Sequence, residues 1–240
     1  MTTSELHNEC LAAVFHTAGQ GPILTRVERP TLKSGCILVR ITCCTVCGSD
    51  LHTFTGRRSG PTPCVLGHEI VGIVEAVEGG PIHDFSGNPL QPGDRVTWSV
   101  AASCGHCHRC SDRLPQKCES LFKYGHEHAD RQLLSGGLAS HCILEPGTAV
   151  IRLPDAPADS VICPANCATA TVAAAVARAE DLQNRRVLVF GAGLLGLTTC
   201  AFAAVAGASE IRLCDPNEQR RAAGPAFGAT SVSDSAEAES

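Results

Sequence analysis

Cys104, Cys107, Cys110 and Cys118 stand in the spacing C-x2-C-x2-C-x7-C, and no other feature limits the fold so tightly. Zinc takes four soft ligands in a tetrahedron at about 2.3 Å, and a loop this short can wrap one ion without a preformed scaffold. Gly105 and the polar insert His106, His108, Arg109, Ser111 and Asp112 suit a compact, solvated lobe. Four thiolates already close the shell, so His106 and His108 are expected to remain in solvent. A closed site has no open position for substrate, so this ion holds structure and does no chemistry.

The chain carries 15 cysteines in 240 residues, which calls either for a disulfide framework or for thiolates that bind metal. The segment Met1–Cys10 is polar, with Glu5 and Glu9, and does not read as a secretory signal. With 44% apolar residues the chain can bury a core of its own, so metal binding is the better reading. Cys10, Cys36, Cys142, Cys200 and Cys214 lie in apolar runs and are expected to be small buried hydrophobes. The net charge is −5, with no basic stripe for nucleic acid and no Lys/Arg block for a membrane surface. The longest apolar stretches, 169–177 and 194–207, are too short or too interrupted to span a bilayer. The expectation is a soluble, cytoplasmic protein with no nucleic-acid or membrane partner.

The fold expected is mixed. Up to residue 153, short β-rich runs alternate with Gly/Pro turns: 11–15, 23–28, 36–43, 70–77 and 95–100. That pattern belongs to a mostly-β, barrel-like domain, residues 1–153. From residue 154 the texture changes to α/β. An Ala-rich helix is expected over 164–179, a strand over 186–190, a glycine turn and helix over 191–206, a strand over 211–214 and a helix over 217–227. A further strand could begin at 229–232, and from Ser231 the chain reads as a small polar tail.

Two motifs carry chemistry. Cys47-Gly48-Ser49-Asp50-Leu51-His52 and Gly67-His68-Glu69 put a thiol and an imidazole into a short polar cluster between strands. A catalytic zinc needs three protein ligands and one open position; Cys47 and His68 offer two, and Cys167 is the candidate for the third. Downstream, Gly191-Ala192-Gly193-Leu194-Leu195-Gly196 follows the strand RVLVF and opens a helix, the context in which a glycine turn binds pyrophosphate. Asp215 ends the next strand, 19 residues after Gly196, where a carboxylate bonds the adenosine ribose and repels a 2′-phosphate, favouring NAD over NADP. Arg220 is placed to reach the same ribose and pulls the other way.

Taken together, CGSDLH, GHE, the four-cysteine lobe, GDRV (Gly93–Val96) and GAGLLG resemble the zinc-dependent medium-chain alcohol dehydrogenases over residues 10 to 230. The run that includes Arg57-Arg58, CPANCATATVAAAV and LCDPNEQRR resembles most the members associated with phosphonate catabolism. The resemblance implies a GroES-like barrel followed by a Rossmann domain over 154–240. It also implies two zinc ions, an NAD(P)-linked interconversion of an alcohol with an aldehyde or ketone, on a small phosphonate-bearing or polyol-type alcohol, and a homo-oligomer. Carried over by motif, Cys47, His68 and Cys167 are the catalytic zinc ligands. Glu69 approaches the metal from behind, and Asp50 holds the ligating imidazole in its tautomer. Ser49 takes the alcohol proton and His52 passes it to solvent. Arg57, Arg58 and Lys123 are candidate cations for an anionic substrate, with solvated surface charge as the rival reading. One departure from the pattern is Glu78, which stands where the family usually has a glycine six residues after Gly72, with Gly79 and Gly80 next; it implies a locally shifted turn.

A dinucleotide fold of this kind uses six parallel strands. Only two, with the beginning of a third, can be read after residue 185, so the second domain is expected to be incomplete. The alternative function is therefore a truncated, catalytically inactive, zinc-stabilised chain.

Overall fold

The computed structural model describes residues 9–179 and 181–234, which divide at Asn166/Cys167 into two compact units. The first contains β1 (Glu9–Phe15), β2 (Ile23–Glu28), β3 (Ile37–Thr45), α1 (Gly48–Phe54), β4 (Cys64–Val65) and β5 (Glu69–Val77). It continues through β6 (Arg95–Ala102), α2 (His108–Ser111), β7 (Phe122–Lys123), β8 (His141–Leu144), β9 (Thr148–Arg152) and α3 (Asp159–Ile162). The second contains α4 (Ala168–Val176), β10 (Arg186–Phe190), α5 (Leu194–Val205), β11 (Glu210–Cys214), α6 (Glu218–Arg221) and β12 (Ser231–Ser233).

The first unit is antiparallel β, as the alternation of short runs and turns predicts. A small sheet runs β2-β1-β4, and a larger one runs β7-β6-β5-β3-β8, with β9 paired to β6. Ile37, Val39, Ile70, Val74, Val96, Trp98, Tyr124, Leu144 and Val150 form the main core, with Trp98 fully buried at its centre. The Tyr124 hydroxyl keeps polar partners there, at 2.6 Å from Thr148 Oγ1 and accepting from the Glu145 N–H at 2.9 Å. The turn expected to shift at Glu78 is carried by Gly79 (φ +89°), where a Cβ would sit 2.1 Å from Ser34 Oγ.

The first unit extends past the expected change of domain at residue 154. Arg95, from the GDRV motif, is the reason. Its Nε donates to Asp159 Oδ1 at 2.7 Å, and its terminal nitrogens donate to the carbonyls of Pro154 (2.5 Å) and Pro157 (2.7 Å). Ile162 and Cys163 then bury against Val71. This linker is therefore bound to β6 and β5 by side-chain contacts that composition does not show.

The second unit is a parallel sheet of order β10-β11-β12. Val189, Ala192, Cys200, Ala203, Ile211, Leu213 and Ala229 make its core. Three expectations need correction. The helix expected over 164–179 is a 3₁₀ turn, Cys163–Asn166, and then α4 from Ala168, because Cys167 is non-helical (φ −118°, ψ −82°) and Pro164 has no N–H to give. The helix expected over 217–227 stops at Arg221 and resumes as a 3₁₀ turn, Gly224–Phe227, since Gly224-Pro225 breaks it. The tail expected from Ser231 instead starts as β12, pairing Leu213 with Val232; residues 235–240 lie outside the described residues. No single described helix is long and apolar enough to cross a membrane.

Candidate functional site

The four cysteines of the lobe meet. Cys107 and Cys110 sulfurs lie 3.5 Å apart, Cys104 and Cys118 3.5 Å, and Cys107 and Cys118 4.0 Å. A tetrahedron with metal–sulfur bonds of about 2.3 Å has edges of about 3.8 Å, so the four fit one zinc ion. Backbone N–H groups point at the sulfurs, from Cys107 to Cys104 (3.4 Å) and from Cys104 to Cys118 (3.3 Å). Such bonds, from His106 and Cys107, hold the Cys104 thiol down to about 6. His106 turns to the Cys104 carbonyl and His108 to Glu119, both exposed.

The second cluster begins with α1, a helix on the segment expected only as a short polar cluster between strands. Cys47 caps it: Asp50 Oδ2 accepts from the Cys47 N–H at 2.9 Å. The other oxygen, Oδ1, accepts from the Gly67 N–H (3.2 Å) and faces His68 Nδ1 (3.2 Å), with both side chains buried. Burial by itself would raise the Asp50 carboxyl; the hydrogen bond and charge of His68 and these N–H groups outweigh it and bring it below the usual range. The ionised carboxylate fixes the proton on Nδ1 and turns Nε2 inward, 3.4 Å from Ser49 Oγ.

Glu69 follows His68 and is 2% exposed. Its Oε2 accepts from Thr45 Oγ1 at 2.6 Å, while Oε1 is buried with no hydrogen-bond partner. A buried carboxylate oxygen left this way is costly unless a cation faces it. Cys167 directly follows Asn166 in the chain. The ligand atoms of Cys47, His68, Glu69 and Cys167 all lie within 4.8 Å of one another. Two thiols, an imidazole and a carboxylate with one unpartnered oxygen form a donor set suited to zinc.

One neighbour was missed in the sequence. The His126 ring lies 5.3 Å from that of His68, and its ligand atom falls within 4.8 Å of those of Asp50 and His68. Gly125 packs on the Gly67 backbone so closely that a Cβ would sit 2.6 Å from the Gly67 carbonyl oxygen. The signal was a repeated tripeptide, Gly67-His68-Glu69 and Gly125-His126-Glu127. Burial, then the charge of Arg58 and of His68, push the His126 imidazole down to about 4. Lys123 acts in the same direction, so Arg58 and Lys123 of the three expected cations are felt at the cluster. Arg57 is exposed, and so is His52.

In the second unit, Gly191 takes φ +95°, and a Cβ on Gly196 would lie 1.8 Å from the Gly191 carbonyl oxygen, so α5 packs on the turn only with glycine there. Gly193, the N-cap of α5, is exposed with nothing within 4 Å of a Cβ position, which leaves room for a phosphate. Asp215 is 5% exposed, and its carboxylate accepts from the N–H groups of Ala192 (2.7 Å) and Asn217 (2.8 Å). The Asn217 and Ala192 bonds keep it below the usual carboxylate range. The Arg220 side chain is exposed, whereas Arg221, which sequence reasoning passed over, donates to the Asp215 carbonyl at 2.5 Å. Arg221 also lines, with Glu218, Val232 and Ser233, an open pocket of about 440 Å³.

Residues 33–155 match the alcohol dehydrogenase GroES-like domain family. The chain is 34% identical over 200 residues to 5-exo-hydroxycamphor dehydrogenase of Pseudomonas putida, a match covering 82% of this chain and 54% of that protein. It superimposes on the crystal structure of an alcohol dehydrogenase from Thermotoga maritima with a TM-score of 0.89 and 30% identity, covering 95% of this chain and 64% of that one. An alcohol dehydrogenase of Escherichia coli complexed with NADH gives 0.81 at 25% identity, covering 96% and 64%. The chain therefore spans somewhat over half the length of the proteins it matches.

Proposed function

The chain belongs to the zinc-type medium-chain alcohol dehydrogenase family, and from that premise we propose that it serves an NAD-linked interconversion of an alcohol with an aldehyde or ketone. The observation that carries this reading is the convergence of Cys47, His68 and Cys167, with Asp50 on the far side of the imidazole. These three would hold the catalytic zinc, and Cys104, Cys107, Cys110 and Cys118 the structural one. When bound, the catalytic zinc supplies a Lewis acid that lowers the pKa of an alcohol hydroxyl, and the nicotinamide supplies the hydride acceptor.

The chain's own residues do the rest. Asp50 keeps His68 in the tautomer that presents Nε2. Ser49, against that nitrogen, accepts the proton of a substrate hydroxyl, and His52, exposed three residues on in α1, passes it to water. Glu69 balances charge behind the cluster through Oε1. On the cofactor side, Gly191, Gly193 and Gly196 shape the turn for a pyrophosphate. Asp215 favours NAD, because a carboxylate with two backbone donors stays charged beside the ribose and repels a 2′-phosphate; Arg220 has only its exposed charge to offer. Arg58 and Lys123, beside His126, favour an alcohol bearing an anionic group such as a phosphonate. A cytoplasmic homo-oligomer completes the reading.

The rival reading is a zinc-holding chain without turnover. NAD-dependent oxidation of a panel of neutral and anionic alcohols, with zinc content measured on the same sample, separates them. Turnover supports the first; two zinc ions per chain with no turnover on any alcohol selects the second.

A further inference from the structure

Asn166 closes the first unit with its side-chain amide on two backbone carbonyls. Nδ2 donates to the carbonyl of His68 at 3.1 Å and to that of Trp98 at 3.0 Å, so both of its N–H bonds are used. The amide cannot be reversed, because Oδ1 would then face two carbonyl oxygens. In the orientation observed Oδ1 is buried with no hydrogen-bond partner, a penalty an apolar side chain would not incur. The residue thus retains a costly oxygen while its nitrogen ties three pieces of chain together. The first is the start of β5, where His68 and Glu69 sit; the second is β6; the third is the backbone that leads into Cys167.

From this geometry we infer that Asn166 is a positioning residue for the metal cluster. Its amide sets the His68 main chain and the approach to Cys167 as one assembly, so that the imidazole and the second thiolate keep their separation. The inference rests on the reading of Cys47, His68 and Cys167 as zinc ligands. Asp50 fixes the ring of His68, and Asn166 fixes its backbone. Outer-shell contacts of this kind change metal affinity by about 10- to 100-fold.

Cobalt(II) titration of the full chain, stripped of metal, tests it. The four-thiolate lobe is an internal reference, and Trp98, the chain's single tryptophan, reports by its emission whether the first unit is folded. The wild type is expected to bind two equivalents with distinct visible spectra. In Asn166→Ala the lobe should be unaffected. The second equivalent should bind about 10- to 100-fold more weakly, with its ligand-field band shifted. Asn166→Gln, which keeps an amide one methylene out of place, should fall between, and it carries the test if the alanine variant loses the buried-Trp98 emission. Wild-type cobalt affinity and spectrum in either folded variant overturns the inference and leaves the proposed function standing. A wild type that binds cobalt only at the four-thiolate lobe removes both.

Discussion

Asp50 Oδ1 faces His68 Nδ1 at 3.2 Å while the same carboxylate caps α1, so one residue orders both the helix that carries Ser49 and the imidazole it faces. Asp50→Asn keeps the shape but can hold the wrong tautomer. Zinc affinity at the Cys47–His68–Cys167 cluster is expected to fall by about 10- to 100-fold, with the lobe unaffected. Competition against a chelator on the purified variant measures this, and wild-type affinity would sink the assignment.

Removing one sulfur from the lobe should act on structure alone. Cys104→Ser breaks the tetrahedron and is expected to release one zinc per chain and lower Tm, because binding energy at a closed site is folding energy. Metal analysis and a thermal melt read both. Loss of the ion with an unchanged melt would mean the lobe does not support the fold.

The glycine turn has no room to spare. A methyl at Gly196 would meet the Gly191 carbonyl oxygen at 1.8 Å, so Gly196→Ala should displace α5 from the turn at a cost of about 3 kcal/mol or more. NADH fluorescence titration together with denaturant unfolding should show both cofactor binding and stability reduced.

Asp215→Ala should shift cofactor choice. A charged hydrogen bond to the ribose is worth about 1.5–3 kcal/mol, so the ratio of NAD to NADP affinity should fall by about 10- to 100-fold. An unchanged ratio by calorimetry would transfer the discrimination to the arginines of α6.

Acid should loosen the linker after β9. Asp159 is pulled up by burial but drawn down further by Thr42 and Arg95, to a folded pKa below its ordinary 3.8. A lowered folded pKa means that its stabilisation is complete above 3.8 and lost as the pH falls through the folded value. Asp159→Asn should therefore melt below the wild type at pH 7, with the gap closing at pH 3 and under. A gap that stays constant down to pH 2 contradicts this.

Much of this protein was legible as pattern. The strand over 23–28 and the strand over 186–190 fall where short β-rich runs between turn residues put them, because β-propensity and turn chemistry act locally; the run over 186–190, which reads as continuously buried, instead leaves Leu188 and Phe190 exposed. The lobe was legible for the same reason, since its ligands lie within fifteen residues of one another. The elements that were missed depend on distant partners. Helix α1 forms on a polar segment because Asp50 reaches the Cys47 N–H and is held by Gly67 and His68. Strands β8 and β9 exist by pairing with β3 and β6.

The sequence by itself determined the ligand types, the glycine turn and the order of an antiparallel unit before a parallel one. These depend on side-chain chemistry and on backbone rules that act over a few residues. Only the tertiary structure decided that His126 stands beside His68, that Glu69 carries an orphaned oxygen, and that Arg95 and Asn166 hold the segment before Cys167 to the first unit. The contacts among these join residues 58 to 98 positions apart, and all of them follow from how buried polar groups find, or fail to find, partners in a packed core, which no local window of sequence contains.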